Sequence, residues 1–286
     1  MIRRSVHQEP QAQPEARSAN AAFSGACFVG RLAAMTMPTH DMMIFWTAVT
    51  AVYLLAGVIK GVIGLGLPTV SMALLAVWMS PVQAAALLIV PSFVTNVWQT
   101  GPRASFMAVL RRIGGMQVGV VIGTLGGALW LGVPAGAWAS VALGVALVVY
   151  AVWGLTGRQL HVSDAQARWM GPLVGIVTGL VTAVTGVFAV PAVPYLQALG
   201  FQRDSLIQAM GISFTTSTVV LAIGLAGNGG YPMSALGGSV AMLAPAIGGM
   251  VLGTWLRQKL SVAVFRRCFL IGLALLGLYM VVRALA

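Results

Sequence analysis

Hydrophobic positions along the chain gather into ten runs, at 42–63, 69–79, 82–100, 113–131, 136–155, 170–185, 187–199, 205–226, 234–256 and 262–285. Crossing a bilayer takes about 20 apolar residues, so most of these runs predict membrane-spanning helices. Two of them, 69–79 and 187–199, are too short. Each follows a break containing glycine or proline and predicts a half-helix. Residues 1–41 are of another kind, polar and carrying Arg3, Arg4, Arg17 and Arg31. A signal peptide needs a compact apolar core, and the stretch from Ala21 to Ala34 is broken by Ser24, Gly25 and Arg31. The reading for 1–41 is a disordered tail, or a start codon placed upstream of the true one.

Composition narrows the class. Of 286 residues 59% are hydrophobic and 7% charged, where soluble domains carry about 25% charged residues. The chain therefore reads as a polytopic membrane protein with the lipid bilayer as its principal partner. A net charge of +11 could suggest nucleic acid, but the arginines stand at the ends of apolar runs. Basic residues on cytoplasmic links explain them better, and no nucleic-acid partner is expected. Arg103, Arg111 and Arg112 lie between the third and fourth runs, Arg158 and Arg168 after the fifth, Arg257 and Lys259 after the ninth. The links at 132–135 and 227–233 are uncharged. Placing basic links inside and neutral ones outside gives one zigzag, in the cytoplasmic (inner) membrane of a bacterium; Arg283 does not fit it. The tryptophans at 46, 78, 98, 130, 138, 153 and 169 fall near predicted span ends, as interface anchors do.

The runs also repeat. Gly57-x-x-x-Gly61 recurs as Gly175-x-x-x-Gly179, and Gly119-x-x-x-Gly123-Thr124 as Gly249-x-x-x-Gly253-Thr254. Between these anchors Ala86 to Thr95 aligns with Ala209 to Thr218. Each half holds five segments, an odd number, so the halves face opposite ways. The expected fold is an all-α polytopic membrane protein of two inverted-topology repeats of about five segments each, with broken first helices and short half-helices. The repeats are placed at 42–156 and 170–286, joined by a cytoplasmic linker at 157–169. Gly-x-x-x-Gly also marks plain helix packing, and that reading stays open.

The stretch from Gly57 to Pro68 is the most informative. Four glycines and a proline interrupt the apolar run and carry Lys60 with them. Backbone freed from a helix finds no partner in lipid, so a break at membrane depth is expected where it is buried in protein or lines a wet cavity. At these residues the chain resembles the TauE/SafE family of sulfite and organosulfur-anion exporters. That family carries one glycine-rich motif per half, running from Gly-x-x-x-Gly into a glycine cluster and a proline. Here the first is Gly57, Gly61, Gly64, Gly66 and Pro68; the second is Gly175 and Gly179, then Thr182, Thr185, Gly186 and Pro191. The resemblance covers residues 43–286. The second copy departs from the pattern, with threonine or valine at 182, 184 and 185, and the first adds Lys60 and has Leu67-Pro68 where glycines would stand. The resemblance implies an exporter of a small anion.

The residues point the same way. A charge at a helix centre costs roughly 2.5–3.5 kcal/mol on insertion scales, and after Met42 the only acids are Asp164 and Asp204. Lys60 thus contacts an anionic ligand, snorkels to the interface, or is held by carbonyls freed at the break; all three readings stand. Half-helices beginning after Pro68 and near Gly186 would turn their positive N-terminal ends into the same cavity. Asn96 and Gln99 share a helix face with Ser92 and Thr95, and Ser213, Thr216 and Ser217 form a second polar face. The candidate substrate-binding set is Lys60, Gly61, Gly64, Gly66, Pro68, Asn96, Gln99, Thr182, Thr185, Gly186, Ser213 and Ser217. With His7, His40 and His161 outside the runs and Cys27 and Cys268 in no ligand spacing, no cofactor or metal is expected. The same scarcity argues against an intramembrane enzyme. The expected function is a secondary transporter exporting sulfite, a sulfonate or a related organic acid by alternating access, with a passive anion channel, or a transporter of an unrelated small metabolite, as the alternative. A homo-oligomer is left open.

Overall fold

A computed structural model describes residues 39–101, 103–132, 137–157, 160–229 and 233–285. The expectation for residues 1–41 lies almost wholly outside them. All secondary structure among the described residues is helical. The helices are α1 (Thr39–Ile63), α2 (Leu67–Leu75), α3 (Pro81–Gln99), α4 (Arg103–Leu131), α5 (Ala137–Thr156), α6 (Asp164–Thr185), α7 (Ala192–Ala198), α8 (Arg203–Gly227), α9 (Met233–Ala241), α10 (Leu243–Leu256) and α11 (Val262–Leu285). Among them are eight candidate membrane spans, long and apolar enough to cross a bilayer; α9 and α10 together form one of these.

Local chemistry sets several ends. Ser80 and Ser163 each close a capping box: the serine hydroxyl accepts from the backbone N–H of Gln83 or Gln166, whose side-chain oxygen accepts the serine N–H in return. Pro81 follows in the first turn of α3, where its missing N–H is harmless. Asp164 and Asp204 stand in the first turns of α6 and α8 rather than in links, where a carboxylate suits the positive helix end.

Packing is dominated by backbone approach at glycine. Helices α1 and α10 run side by side in the same direction, and so do α4 and α6. A Cβ added at Gly253 would lie 2.2 Å from the Val58 carbonyl oxygen, and one at Gly57 2.3 Å from that of Ala246. At the other pair, a Cβ on Gly175 would meet the Met116 oxygen at 2.1 Å and one on Gly119 the Pro172 oxygen at 2.2 Å. Without a hydrophobic force between helices in lipid, such close dispersion contact is what holds them. Antiparallel α5 and α11 meet through Gly144 and Gly277 in the same manner, and α8 lies against both α3 and α4. Large side chains face outward, among them Trp130, Leu129 and Leu285. A bilayer accounts for so much exposed apolar surface.

Three expectations need correction, and sequence reasoning passed over one pair of residues. Gly57 and Gly61 do not interrupt α1; they lie inside it, because the neighbouring helix fills the space their missing side chains leave. Arg111 and Arg112 belong to α4, which starts well before the apolar run does, so the link before it is short. The ninth run is divided at Met242 between α9 and α10, giving the second half six helices. Arg266 and Arg267, inside the tenth run, are exposed near the start of α11, at the end of the bundle shared with the other basic residues.

Candidate functional site

α1 ends at Ile63, and the backbone from Gly64 to Gly66 turns before α2 begins. Gly64 (φ 84°) and Gly66 (φ 121°) take left-handed conformations that a side chain would strain. The half-helix therefore begins at Leu67, with Pro68 buried in its first turn rather than preceding it. Lys60, one turn before the bend, is 3% exposed. Its Nζ donates to Thr95 Oγ1 at 3.0 Å and, by a shorter bond, to Asn96 Oδ1. Snorkelling to an interface is thereby overturned as a reading, and so is a hold by freed carbonyls: both acceptors are side chains of α3. No carboxylate pairs with Lys60 among the described residues.

Hydrogen bonds to charged groups contribute about 1.5–3 kcal/mol each. Two of them roughly offset the insertion cost of the charge, so the ammonium can stay buried with its charge unneutralised. Thr95 and Asn96 are fully buried, and Asn96 Nδ2 reaches Thr218 Oγ1 of α8 at 3.4 Å. That contact brings the polar faces of α3 and α8 together. Ser92 stands one turn before Asn96, and Ser213 and Ser217 lie on α8 near Thr218. All three serines are buried with hydroxyls that have no partner among the described residues.

The other candidates are differently occupied. Gln99 Nε2 donates to Gly64 O at 2.6 Å and to Ile207 O at 3.4 Å, tying the bend to α3 and α8. What Gln99 has left is a buried acceptor, its Oε1, which would repel an anion. Gly61 packs on the α10 backbone. Gly186 ends α6 in a left-handed conformation (φ 68°), and α7 starts only at Ala192, so no half-helix begins near Gly186. Thr182 and Thr185 each donate to a carbonyl one turn back, and Thr185 Oγ1 also accepts from Val187 N. Their donors are used up. The second bend does touch the first segment: a Cβ at Gly186 would lie 2.9 Å from Cε of Met72 on α2.

Sequence reasoning passed over Gln117, Thr124 and Tyr53, all buried with polar atoms that have no partner. Tyr53 lies seven residues before Lys60, on the same face of α1 about 10 Å away along the axis. For Gln117 and Tyr53 a large polar side chain in mid-run was the signal available; Thr124 offered none beyond its place in the repeated Gly-x-x-x-Gly-Thr motif. At the basic end, Arg112 Nη2 bridges Asp164 Oδ1 (3.1 Å) and Leu199 O (2.9 Å) and its guanidinium lies 4.8 Å from the Phe201 ring. Beside it, Gln208 accepts from Ser105 at 2.8 Å and donates to Thr100 O at 2.5 Å.

Span-length helices around a buried hydrogen-bonded cluster of Lys60, Thr95, Asn96 and Thr218 define a multi-pass membrane protein with polar side chains inside the bundle. Comparison with models of protein families matches residues 49–280 to the family described as sulfite exporter TauE/SafE. The chain belongs to that family, whose members are membrane transporters and not enzymes. Neither the curated proteins nor the solved structures give a match to this chain.

Proposed function

We propose that the chain exports a small oxyanion, such as sulfite, a sulfonate or a related organic acid, by alternating access around Lys60. The observation that carries this reading is a buried lysine amine whose partners among the described residues are both neutral, on helices that also bury three serine hydroxyls without a partner among those residues. An anion would supply both the missing charge and the missing acceptors. A cation would meet like charge, which disfavours it. Ser92, Ser213, Ser217 and the amide of Asn96 are the proposed donors beside Lys60, and the Gly64–Gly66 bend gives the segment room to move.

The two halves, 42–156 and 170–286, are proposed to be inverted repeats that rock against each other in a bacterial cytoplasmic membrane, basic end inward. Supporting this, the four Gly-x-x-x-Gly anchors pair crosswise: Gly57 and Gly61 of the first half lie along Gly249 and Gly253 of the second, and Gly175 and Gly179 along Gly119 and Gly123. The test is flux of sulfite, sulfonates and carboxylates into proteoliposomes containing wild type, Lys60→Ala or Asn96→Ala. Lys60→Ala is expected to lower anion flux at least a hundredfold with the protein still folded. Undiminished flux would remove Lys60 from the site, and flux that never concentrates the anion under any ion gradient would favour a passive channel.

A further inference from the structure

Arg283 belongs neither to the basic end nor to the Lys60 cluster. It lies on the last turn of α11, at the end of the bundle where α5 begins. There a cleft of about 420 Å³ opens between the α2–α3 connection, the start of α5 and the end of α11. Trp78, Ser80, Gln83, Ser140, Tyr279 and Arg283 supply its polar and aromatic wall. Arg283 Nη1 donates to the Val77 carbonyl at 2.9 Å, which fixes the guanidinium against the wall. The rest of its five-donor fork has no protein acceptor among the described residues. Gln83 spends its oxygen on the Ser80 N–H of the capping box, which leaves its amide hydrogens as donors. Among the described residues no carboxylate lines the cleft. It is rich in donors and poor in acceptors, and the exposed Trp78 and Trp138 near it are the residues that settle at headgroup depth.

We propose that this cleft binds one oxyanion group through the Arg283 guanidinium, with the Gln83 amide as a second donor. A planar fork suits bidentate capture of phosphate or a sulfur oxyanion. Two sources share that chemistry: the phosphate of a phospholipid headgroup, and a free sulfur oxyanion in the outer solution. The site is separate from Lys60 and does not depend on the transport reading.

The experiment uses the full chain in a phosphate-free, uncharged detergent. One arm titrates sulfite and inorganic sulfate and follows tryptophan fluorescence, with Trp78→Phe identifying the reporter. The other adds phosphatidylglycerol and counts retained lipid by native mass spectrometry. Arg283→Gln is expected to weaken binding at least tenfold in whichever arm shows it, and Arg283→Lys to weaken it less. A saturable Trp78 signal identifies the free anion as the source; lipid retention that Arg283→Gln abolishes identifies the headgroup. Equal thermal midpoints for the variants exclude misfolding as the cause. Binding unaffected by Arg283→Gln, or no binding in either arm, would overturn the proposal.

Discussion

Lys60 shows how much one side chain can say. Its position in an apolar run, with every acid after Met42 confined to helix starts, already required a neutral or ligand-borne partner. Spacing on α3 put Thr95 and Asn96 on one polar face, but that they are the partners of Lys60 came only from the structure. What the spacing could not distinguish is which hydroxyls have a hydrogen to give. Threonines on a helix fold back onto the carbonyl one turn before, as Thr182 and Thr185 do, whereas Ser92, Ser213 and Ser217 do not. That choice depends on the space around each side chain. Asn96→Asp tests the charge argument without removing volume. A carboxylate about 4 Å from the ammonium would attract it by on the order of 4 kcal/mol at an effective dielectric of 20, in competition with any anionic solute. Anion flux is expected to fall more than tenfold while the thermal midpoint holds or rises. Wild-type flux in Asn96→Asp would show that the solute never meets the lysine charge.

At the scale of the element, run lengths located the helices well because desolvated apolar length is a property of the chain alone. The roles of the glycines were less legible. Gly57 and Gly61 looked like interruptions, and only the presence of α10 makes them a contact surface, whereas Gly64 and Gly66 are bends by their own dihedral angles. The same composition served both purposes, and tertiary packing decided between them. The start of α4 was misplaced for a related reason: Arg103, Arg111 and Arg112 fall among its first ten residues, so hydropathy missed its first turns while the backbone continued in helix. Gly253→Ala separates packing from flexibility. Its methyl would press on the Val58 carbonyl, backbone that cannot rotate away, so a loss of about 1–3 kcal/mol is expected from overpacking. Gly272→Ala, with nothing within 4 Å of the added carbon, is expected to change nothing or to stabilise slightly. Thermal unfolding of the two detergent-solubilised variants makes the comparison, and equal midpoints would show that α1 and α10 can part without cost.

Over the whole molecule, the Lys60 cluster is buried, and Arg112 ties several elements together at the basic end. That side chain joins α4 to the start of α6 and to the link between α7 and α8. Its ion pair is solvent-exposed, at 40% and 84% for the two side chains, so it contributes at most about 1 kcal/mol. The stacking on Phe201 adds about 0.5–1 kcal/mol at an exposed site. A latch of that strength shifts an open–closed balance by about tenfold, since 1.4 kcal/mol is one decade. Under the proposed alternating access, that is strong enough to bias the basic end shut and weak enough to release in each cycle. Ser217→Cys in a Cys27→Ser, Cys268→Ser background reads the opening directly, because Ser217 is fully buried in the closed form. A membrane-impermeant thiol reagent is expected to label it slowly from either face of sealed vesicles. Sulfite should slow that labelling, and Arg112→Gln should raise the basic-face rate up to about tenfold while leaving the opposite face unchanged. Leu285→Cys, 76% exposed at the other end, should label at once from that face alone and so fixes the sidedness. Labelling of Ser217→Cys from one face only would mean that the two ends do not alternate. No labelling from either would mean that the buried hydroxyls lie off the route, and the lysine would then be holding helices together instead of meeting a solute.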